Sequence, residues 1–499
     1  MRSLALACCC LASVFCAAAQ AAPAPPLSHS GRWITDARGR VVVVHGINMV
    51  YKRPPYYPAA VGFGDDDAAF LARIGFNAVR VGVIWKALEP SPGVYNAAYL
   101  AQIASTVSTL ARHGVMSLLD FHQDLLNERF QGEGAPDWAI QGNGLLPNPS
   151  LGFPGNYLGN PALQSAYDAF WGNAPGPGGV GLQARYAAAW ADVASRFRGT
   201  GSVLGYELFN EPWPGTLWQP CAAPTGCPGF DAQLTTFNRR VDAGIRGADR
   251  RTLVWYEPNV LFDESSVTHL GPLGDRSAGF AFHDYCLTTP SSGTSTTCDQ
   301  SDERVFTNAV QHAGAAGDAL LETEFGATNN AAFLEDMVAR ADRFMVPWLE
   351  WAYCGCGDPT TTGPGTKQAI VVDPSKPPTG SNLVASTLSA LVEPYPQVVA
   401  GTPRSWSFDR ATGTFRLSFS TARASGHGRF PAGTVTEIST PPLVYGRGYA
   451  ARVTGGAIVS ARGASLLRVA SCAGAGSVSV TVSRSGRSRG SCRRPLRAR

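Results

Sequence analysis

Charge is what this sequence has least of: Asp, Glu, Lys and Arg make up only 16% of the chain, and the formal net charge is +4. A surface so thinly charged raises no broad field for a polyanion, which argues against a nucleic-acid partner. Beyond the first two dozen residues no apolar run is long enough to span a bilayer. There is no internal repeat beyond an alternation of short strand-like and longer helix-like segments. No second cysteine pair accompanies Cys354-Gly355-Cys356 at zinc-finger spacing, and no His-x-His pair marks the first strand-like segment, so neither a metal nor a cofactor is expected.

Hydrophobicity, by contrast, is ample. Apolar residues form 44% of 499, enough to fill the two cores that a chain of this length calls for. The start reads as a cleavable secretory leader over residues 1–21: Arg2, an apolar run from Leu4 to Ala19, then small residues. The expected location is therefore outside the cytoplasm, extracellular or periplasmic. Of twelve cysteines, Cys8, Cys9, Cys10 and Cys16 lie in that leader and eight remain. An even number in an exported chain points to disulfides. Proximity favours Cys221 with Cys227, Cys286 with Cys298 and Cys472 with Cys492 among the 105 pairings that eight cysteines allow, and Cys354-Gly355-Cys356 is read as disulfide chemistry.

Between residues 40 and 392 eight β-branched runs alternate with amphipathic segments, the pattern of parallel strands with crossover helices. The strands are expected at Val41 to Val50, Asn77 to Trp85, Val115 to Asp124, Val203 to Pro212, Thr252 to Pro258, Ala278 to Cys286, Ala319 to Gly326 and Phe344 to Tyr353. Helices are expected at Asp66 to Ile74, Gln183 to Phe197, Asp231 to Ile245 and Asn382 to Val392. This is an α/β chain whose residues 30–393 predict a (β/α)8 TIM barrel. Alternating stretches such as Ser405 to Phe408, Thr414 to Ser420 and Ser477 to Val482 predict a smaller C-terminal antiparallel β-sandwich over 394–485, ending in a basic, solvated tail, 486–499.

A barrel builds its active site where the strands end, so the polar residues at those ends carry the chemistry. They are crowded there: Arg80 on the second strand, Asp120-Phe121-His122-Gln123-Asp124 on the third, Asn210-Glu211-Pro212 on the fourth, His283-Asp284-Tyr285 on the sixth, Glu324-Phe325-Gly326 on the seventh and Trp348-Leu349-Glu350-Trp351 on the eighth. Glycosidic cleavage needs one carboxylic acid to protonate the leaving oxygen and one carboxylate on the other face of the sugar. Glu211 and Glu324, on strands across the barrel from each other, fit those places. Proline after Glu211 turns the chain out of the strand and leaves the glutamate at the rim, and Asn210 is placed to bond a sugar hydroxyl. Two other glutamates compete: Glu322, read by strand alternation as lying on the same face as Glu324 one layer deeper, and Glu257, read as orienting its neighbours.

Asn-Glu-Pro, the strand-two Arg, His-x-Tyr and Glu-Phe-Gly together resemble glycoside hydrolase family 5. More narrowly, Gly46-Ile47-Asn48-Met49-Val50-Tyr51-Lys52, Asp120-Phe121-His122-Gln123-Asp124, Gly205-Tyr206-Glu207-Leu208-Phe209-Asn210-Glu211-Pro212-Trp213 and Tyr256-Glu257-Pro258-Asn259 resemble the endoglycoceramidases. The resemblance implies a retaining hydrolase with Glu211 as acid/base and Glu324 as nucleophile. It implies that Tyr285 bonds Glu324 and that Arg80 stands beside it, both favouring its ionised form, with His283 supporting. Lys52, His122, Asp124, Asn210 and Trp351 would hold the sugar. The implied substrate is a glycan joined to a lipid, with glucanase, mannanase, β-glucosidase or steryl-glucosidase activity as alternatives inside the family.

The long loop from Leu125 to Gly181 carries Leu126, Phe130, Leu145, Leu146, Phe153, Tyr157 and Leu158 among glycines and prolines. It reads equally as an apolar wall for a lipid aglycone or as packing onto the barrel; the sandwich is open to peripheral membrane contact but is expected to brace the barrel. Trp138, Trp213 and Trp218 are expected in the core. Outside the family, His122, His283, Asp124 and Asp284 admit a metal-dependent barrel hydrolase, and a non-catalytic glycolipid-binding protein is the third class; the retained glutamates argue against the latter. Oligomeric state is not legible.

Overall fold

The computed structural model describes residues 23–286, 288, 292–361, 368–446 and 448–492. The expected leader and the last seven residues of the basic tail, 493–499, lie outside the described residues. Eight parallel strands close a barrel: β1 (His45–Met49), β2 (Ala78–Val83), β3 (Met116–Phe121), β4 (Val203–Glu207), β5 (Val254–Tyr256), β6 (Ala278–Asp284), β7 (Ala319–Phe325) and β8 (Trp348–Glu350). Closure comes from β8 returning to β1 in the register Trp348↔His45, Leu349↔Gly46, Glu350↔Ile47. Helices such as Asp65–Ile74, Leu182–Phe197 and Pro228–Ala248 form the outer layer. Leu182–Phe197 buries Leu182, Tyr186, Ala189, Trp190, Val193 and Phe197, the three-and-four spacing of one helix face.

The barrel floor is apolar. Leu118, Trp255, Leu321 and Leu349 fill it, and Ile34, Val42 and Val44 from the N-terminal segment close it from below. The Trp255 indole fits because two strands lack side chains beside it: a Cβ on Gly205 would stand 2.2 Å from its Nε1 and one on Gly279 2.3 Å from its Cε3.

The sequence predicted one strand from Val41 to Val50, and the structure divides it. Val41–Val42 leaves the barrel and pairs antiparallel with Tyr395–Val399, while His45–Met49 is β1. Ser28–Ser30 and Trp33–Thr35 add to the same sheet, which continues through Val435–Ser439, Leu466–Ser471 and Gly456–Ile458. Packed against it are Thr402–Asp409, Thr414–Ser420, Ser477–Ser483 and Ala450–Thr454. Residues 30–42, read as barrel, therefore belong largely to the sandwich. The division follows strand alternation: Val41 and Val43 enter the sandwich core, Val42 and Val44 the barrel floor.

The tail also differs from its solvated reading. Arg489 donates its N–H to the Ala451 carbonyl at 2.9 Å and its carbonyl accepts from Val453 at 3.0 Å. The Cys472–Cys492 disulfide anchors the chain again, so the sheet holds it as far as Cys492. Cys221–Cys227 and Cys286–Cys298, like Cys472–Cys492, are bonded as proximity favoured, and Cys354 is bonded to Cys356. Among the described residues no helix is long and apolar enough to cross a membrane.

The two domains meet across a dry seam. His45 lies between the rings of Trp348, 4.3 Å away, and Tyr395, 3.7 Å away. The Trp406 indole N–H donates to Asp342, and Arg410 pairs with Glu393 at 3.2 Å. Removal of everything beyond Glu393 strips the Val41–Val42 edge and bares this seam. The truncated chain is expected to be insoluble or to lose its cooperative thermal transition in circular dichroism; a soluble, fully active barrel would contradict the bracing role.

Candidate active site

Above the apolar floor the barrel interior turns polar, and its centre is Arg80. β2 projects this guanidinium inward, fully buried, where Glu207 (from Nε) and Glu324 (from Nη1) accept its shortest hydrogen bonds. Asn48 Oδ1 accepts at 3.1 Å and Asn210 Oδ1 at 2.8 Å, with Asp120 3.1 Å and Glu257 3.5 Å from Nη2. Burial opposes the cation, but the surrounding carboxylates win and hold Arg80 more firmly protonated than usual. Burial pushes the Glu207 carboxyl up to about 7 in spite of Arg80.

Glu324 reaches this centre through an irregularity. The register of β7 on β6 slips between Glu322 and Glu324, a β-bulge at Thr323. Ala319 and Leu321 face the barrel interior while Leu320 and Phe325 face the helices. Unbroken alternation would send Glu324 outward with Leu320; the inserted residue turns Glu324 in and Phe325 out. The same bulge corrects the reading of Glu322: it does not share the face of Glu324 but lies among Arg340 and Asp302 of the helix layer, its carboxyl raised first by burial. The other oxygen of Glu324 accepts from the Tyr285 hydroxyl at 2.9 Å.

Glu211 stands past the end of β4 with φ of +45°. That left-handed conformation costs a non-glycine residue about 1–3 kcal/mol, and neighbours hold it. The Gln123 amide donates to the Asn210 carbonyl at 2.8 Å and the Glu211 carbonyl at 3.3 Å, while the Glu211 N–H donates to Glu257 Oε2 at 3.0 Å. The Glu211 side chain is 10% exposed against 5% for Glu324, so it is the more open of the two. Burial, reinforced by Asp124, raises its carboxyl to about 7. His283 Nδ1 lies 2.9 Å from Glu211 and 3.8 Å from Glu324, and burial lowers this imidazole to about 4, leaving it neutral at pH 7.

On the opposite wall Lys52 donates to Asp124 at 2.6 Å and to Thr360 at 3.0 Å, with Asp358 at 3.4 Å. Its ammonium lies 4.2 Å over the Trp351 ring, on which His122 also stacks. Burial disfavours the charge on Lys52, yet Asp124, Asp358 and Glu133 keep it protonated; His122, bonded to Asp120 at 2.7 Å, is likewise raised to about 10 against its burial. Asp124 is held well below the usual carboxylate range by Lys52 and His122 despite its burial. This wall presents a flat aromatic ring flanked by fixed donors and acceptors, the surface a sugar ring needs.

The structure thus gathers Glu211, Glu324, Lys52, His122, Asp124, Asn210, Tyr285, Trp351, Arg80 and His283 at one end of the barrel. Asn210 differs in detail: Arg80 takes its oxygen and the Gln123 carbonyl one N–H, at 3.0 Å, leaving a single N–H for a ligand. Sequence reasoning missed Glu207, Gln123, Glu133, Asp358 and Thr360. Only the buried charge of Arg80 signalled that such partners exist. Trp213, with Tyr157 stacked 4.8 Å away, is core.

Groups able to hold a metal include His122, Asp124 and Glu133, and also Glu211, Asp263 and His283. The donor chemistry of the first set does not fit: a ligating imidazole must be free of its proton, whereas His122 is held doubly protonated and Asp124 is already met by Lys52. Replacing Arg80 by Met would leave buried carboxylates uncompensated. Arg80→Met is expected to lose about 3–5 kcal/mol of stability, read from urea unfolding.

A family model described as cellulase, glycosyl hydrolase family 5, matches residues 35–356, and one for the family 5 C-terminal domain matches 394–482. The chain is 33% identical to endoglycoceramidase I of Rhodococcus hoagii, over 93% of this chain and 90% of that one. Endo-glycoceramidase II from Rhodococcus sp. is similar in structure. Its lactosyl-enzyme intermediate superposes with a TM-score of 0.74 at 27% identity, covering 90% of this chain and 99% of that one. Its complex with ganglioside GM3 gives 0.75 at 26%, covering 91% and 99%.

Proposed function

The chain belongs to glycoside hydrolase family 5, and on that premise we propose that it is a retaining glycosidase cleaving the β-bond between the glycan of a glycosphingolipid and its ceramide, with Glu211 as acid/base and Glu324 as nucleophile. The observation that carries this reading is the pairing of the two carboxyl groups on one imidazole nitrogen of His283. So compact a pair suits direct attack, with carboxyl groups about 5–5.5 Å apart, rather than the wider gap that admits a water.

In the first step Glu324 attacks the anomeric carbon, the bond to the lipid oxygen breaks, and Glu211 gives that oxygen its proton. Arg80 and Tyr285 keep Glu324 aimed. In the second step water attacks the glycosyl ester, Glu211 takes the water's proton, and Glu324 leaves as carboxylate with configuration retained. Glu211, raised to about 7 by burial, holds a proton to deliver near neutral pH. Lys52, His122, Asp124, Asn210 and Trp351 hold the sugar, and His283 supports the pair.

For the lipid side, the long loop divides. Leu126, Phe130 and Tyr157 are buried as packing, whereas Leu145, Leu146, Leu151 and Leu158 remain 51–73% exposed. That uncovered apolar patch supports a lipid aglycone and peripheral contact with a membrane surface. The expectation of export is supported by the leader pattern and by four disulfides.

Lactosylceramide or a ganglioside in detergent is expected to yield intact oligosaccharide plus ceramide by mass, with a soluble β-glucan untouched, and Glu324→Gln to reduce the rate by at least about 10⁴-fold. Cleavage of the glucan alone would remove the lipid reading; no effect of the variant would remove the nucleophile. The wild type is further expected to co-sediment with phospholipid vesicles, and the double variant Leu145→Ser, Leu146→Ser to do so several-fold less.

A further inference from the structure

Three groups stand in line behind the site of cleavage. Glu211 Oε1 meets His283 Nδ1 at 2.9 Å. On the far side of the ring Nε2 is buried with no hydrogen-bond partner, and Glu257 Oε2 stands 3.5 Å from it. That same Oε2 accepts the backbone N–H of Glu211 at 3.0 Å, and Glu257 Oε1 lies 3.5 Å from Arg80. One carboxyl group therefore touches the backbone of Glu211 directly and its side chain through an imidazole.

We propose that Glu257 is a positioning residue which selects the tautomer of His283 and so obliges Glu211 to begin each turnover as the proton donor; the inference rests on the reading of Glu211 as acid/base.

A neutral imidazole carries one proton, and the group facing one nitrogen decides which nitrogen holds it. Burial and the neighbouring Glu207 raise Glu257 well above the usual carboxylate range, yet its Oε2 already accepts the Glu211 N–H, so the oxygen turned to Nε2 is an acceptor. An acceptor oxygen at Nε2 draws the ring proton to Nε2. Nδ1 then presents a lone pair, and a hydrogen bond to Glu211 at 2.9 Å exists only if Glu211 brings the O–H. In the opposite tautomer Nδ1–H would instead favour the Glu211 carboxylate, which has no proton to give. After the first step the Glu211 carboxylate faces the Nδ1 lone pair, a repulsion relieved when it takes the proton of the attacking water. The proton count closes: the lipid oxygen gains one from Glu211, water returns one, and His283 and Glu257 end as they began.

The other charged groups facing this line are Arg80 from β2, Asp120 and His122 from β3, Glu207 from β4 and Glu324 from β7, with Asp124, Lys52 and Asp263 around Glu211. Among the described residues, Glu257 is the acidic group within 4.0 Å of Nε2, at 3.5 Å.

Glu257→Gln keeps the size and can offer Nε2 an amide N–H in place of an acceptor, which sends the ring proton to Nδ1. An Nδ1–H facing Glu211 eases its ionisation, so the alkaline limb of kcat/KM on the glycolipid is expected to move down by about one pH unit or more. On a 2,4-dinitrophenyl glycoside, whose leaving group departs without a proton, kcat/KM is expected to stay within about threefold. An unmoved limb, or an equal loss on both substrates, would overturn the inference. Should the variant not fold, ¹⁵N-histidine NMR of the wild type gives the same answer: His283 protonated at Nε2 supports it and a proton at Nδ1 overturns it. Glu211→Ala separates the two readings, because it should abolish glycolipid cleavage yet keep kcat/KM on the dinitrophenyl glycoside. If it spares both substrates the acid/base reading fails, whereas an unmoved limb in Glu257→Gln beside an intact control sinks only the role of Glu257.

Discussion

One buried guanidinium organises the upper half of this barrel. Arg80 is surrounded by Glu207, Glu324, Asp120, Asn48 and Asn210 and has no water-exposed surface. A lone buried cation is costly, and so is each lone buried carboxylate; placed together they become tolerable, and each fixes the others. Because these partners come from β1, β3, β4 with the turn after it, and β7, the barrel must close in register before the charges meet Arg80 on β2. Geometry at the strand ends is thus set by a constraint one layer below.

Much of this was legible from residues alone. The strand-ending motifs announced themselves because polar residues at the close of β-branched runs break an otherwise apolar pattern. What stayed hidden depended on three-dimensional accidents of the chain. The bulge at Thr323 leaves no compositional trace, so strict alternation put Glu322 and Glu324 on one face. Glu207 sits inside a strand where its charge reads only as an anomaly until Arg80 is found against it. Asp358 and Thr360 lie more than three hundred residues from the Lys52 they bind, a separation no local pattern bridges. The long loop was ambiguous because its leucines do two things, some burying and some not.

The two walls of the site also divide their labour electrically. On the Lys52 side, His122 and Lys52 are held charged against burial by acidic neighbours, a fixed polar frame that does not change during turnover. On the His283 side the groups are poised near neutrality, with Glu211 and Glu207 raised to about 7 and the imidazole lowered to about 4. In the proposed mechanism, binding falls to groups that hold their protons and chemistry to groups near neutrality.

The split of the first predicted strand has a consequence for how the molecule comes into being. Val42 closes the barrel floor and Val41 pairs with Val399, so neighbouring residues near the start are each committed to a different core, one completed only by residues beyond Glu393. Contacts of such sequence separation form late and slowly. During synthesis the growing chain cannot finish its fold until its far end has emerged, and it stays pliable for as long as it is being made, the state in which a polypeptide can still be threaded through a narrow pore.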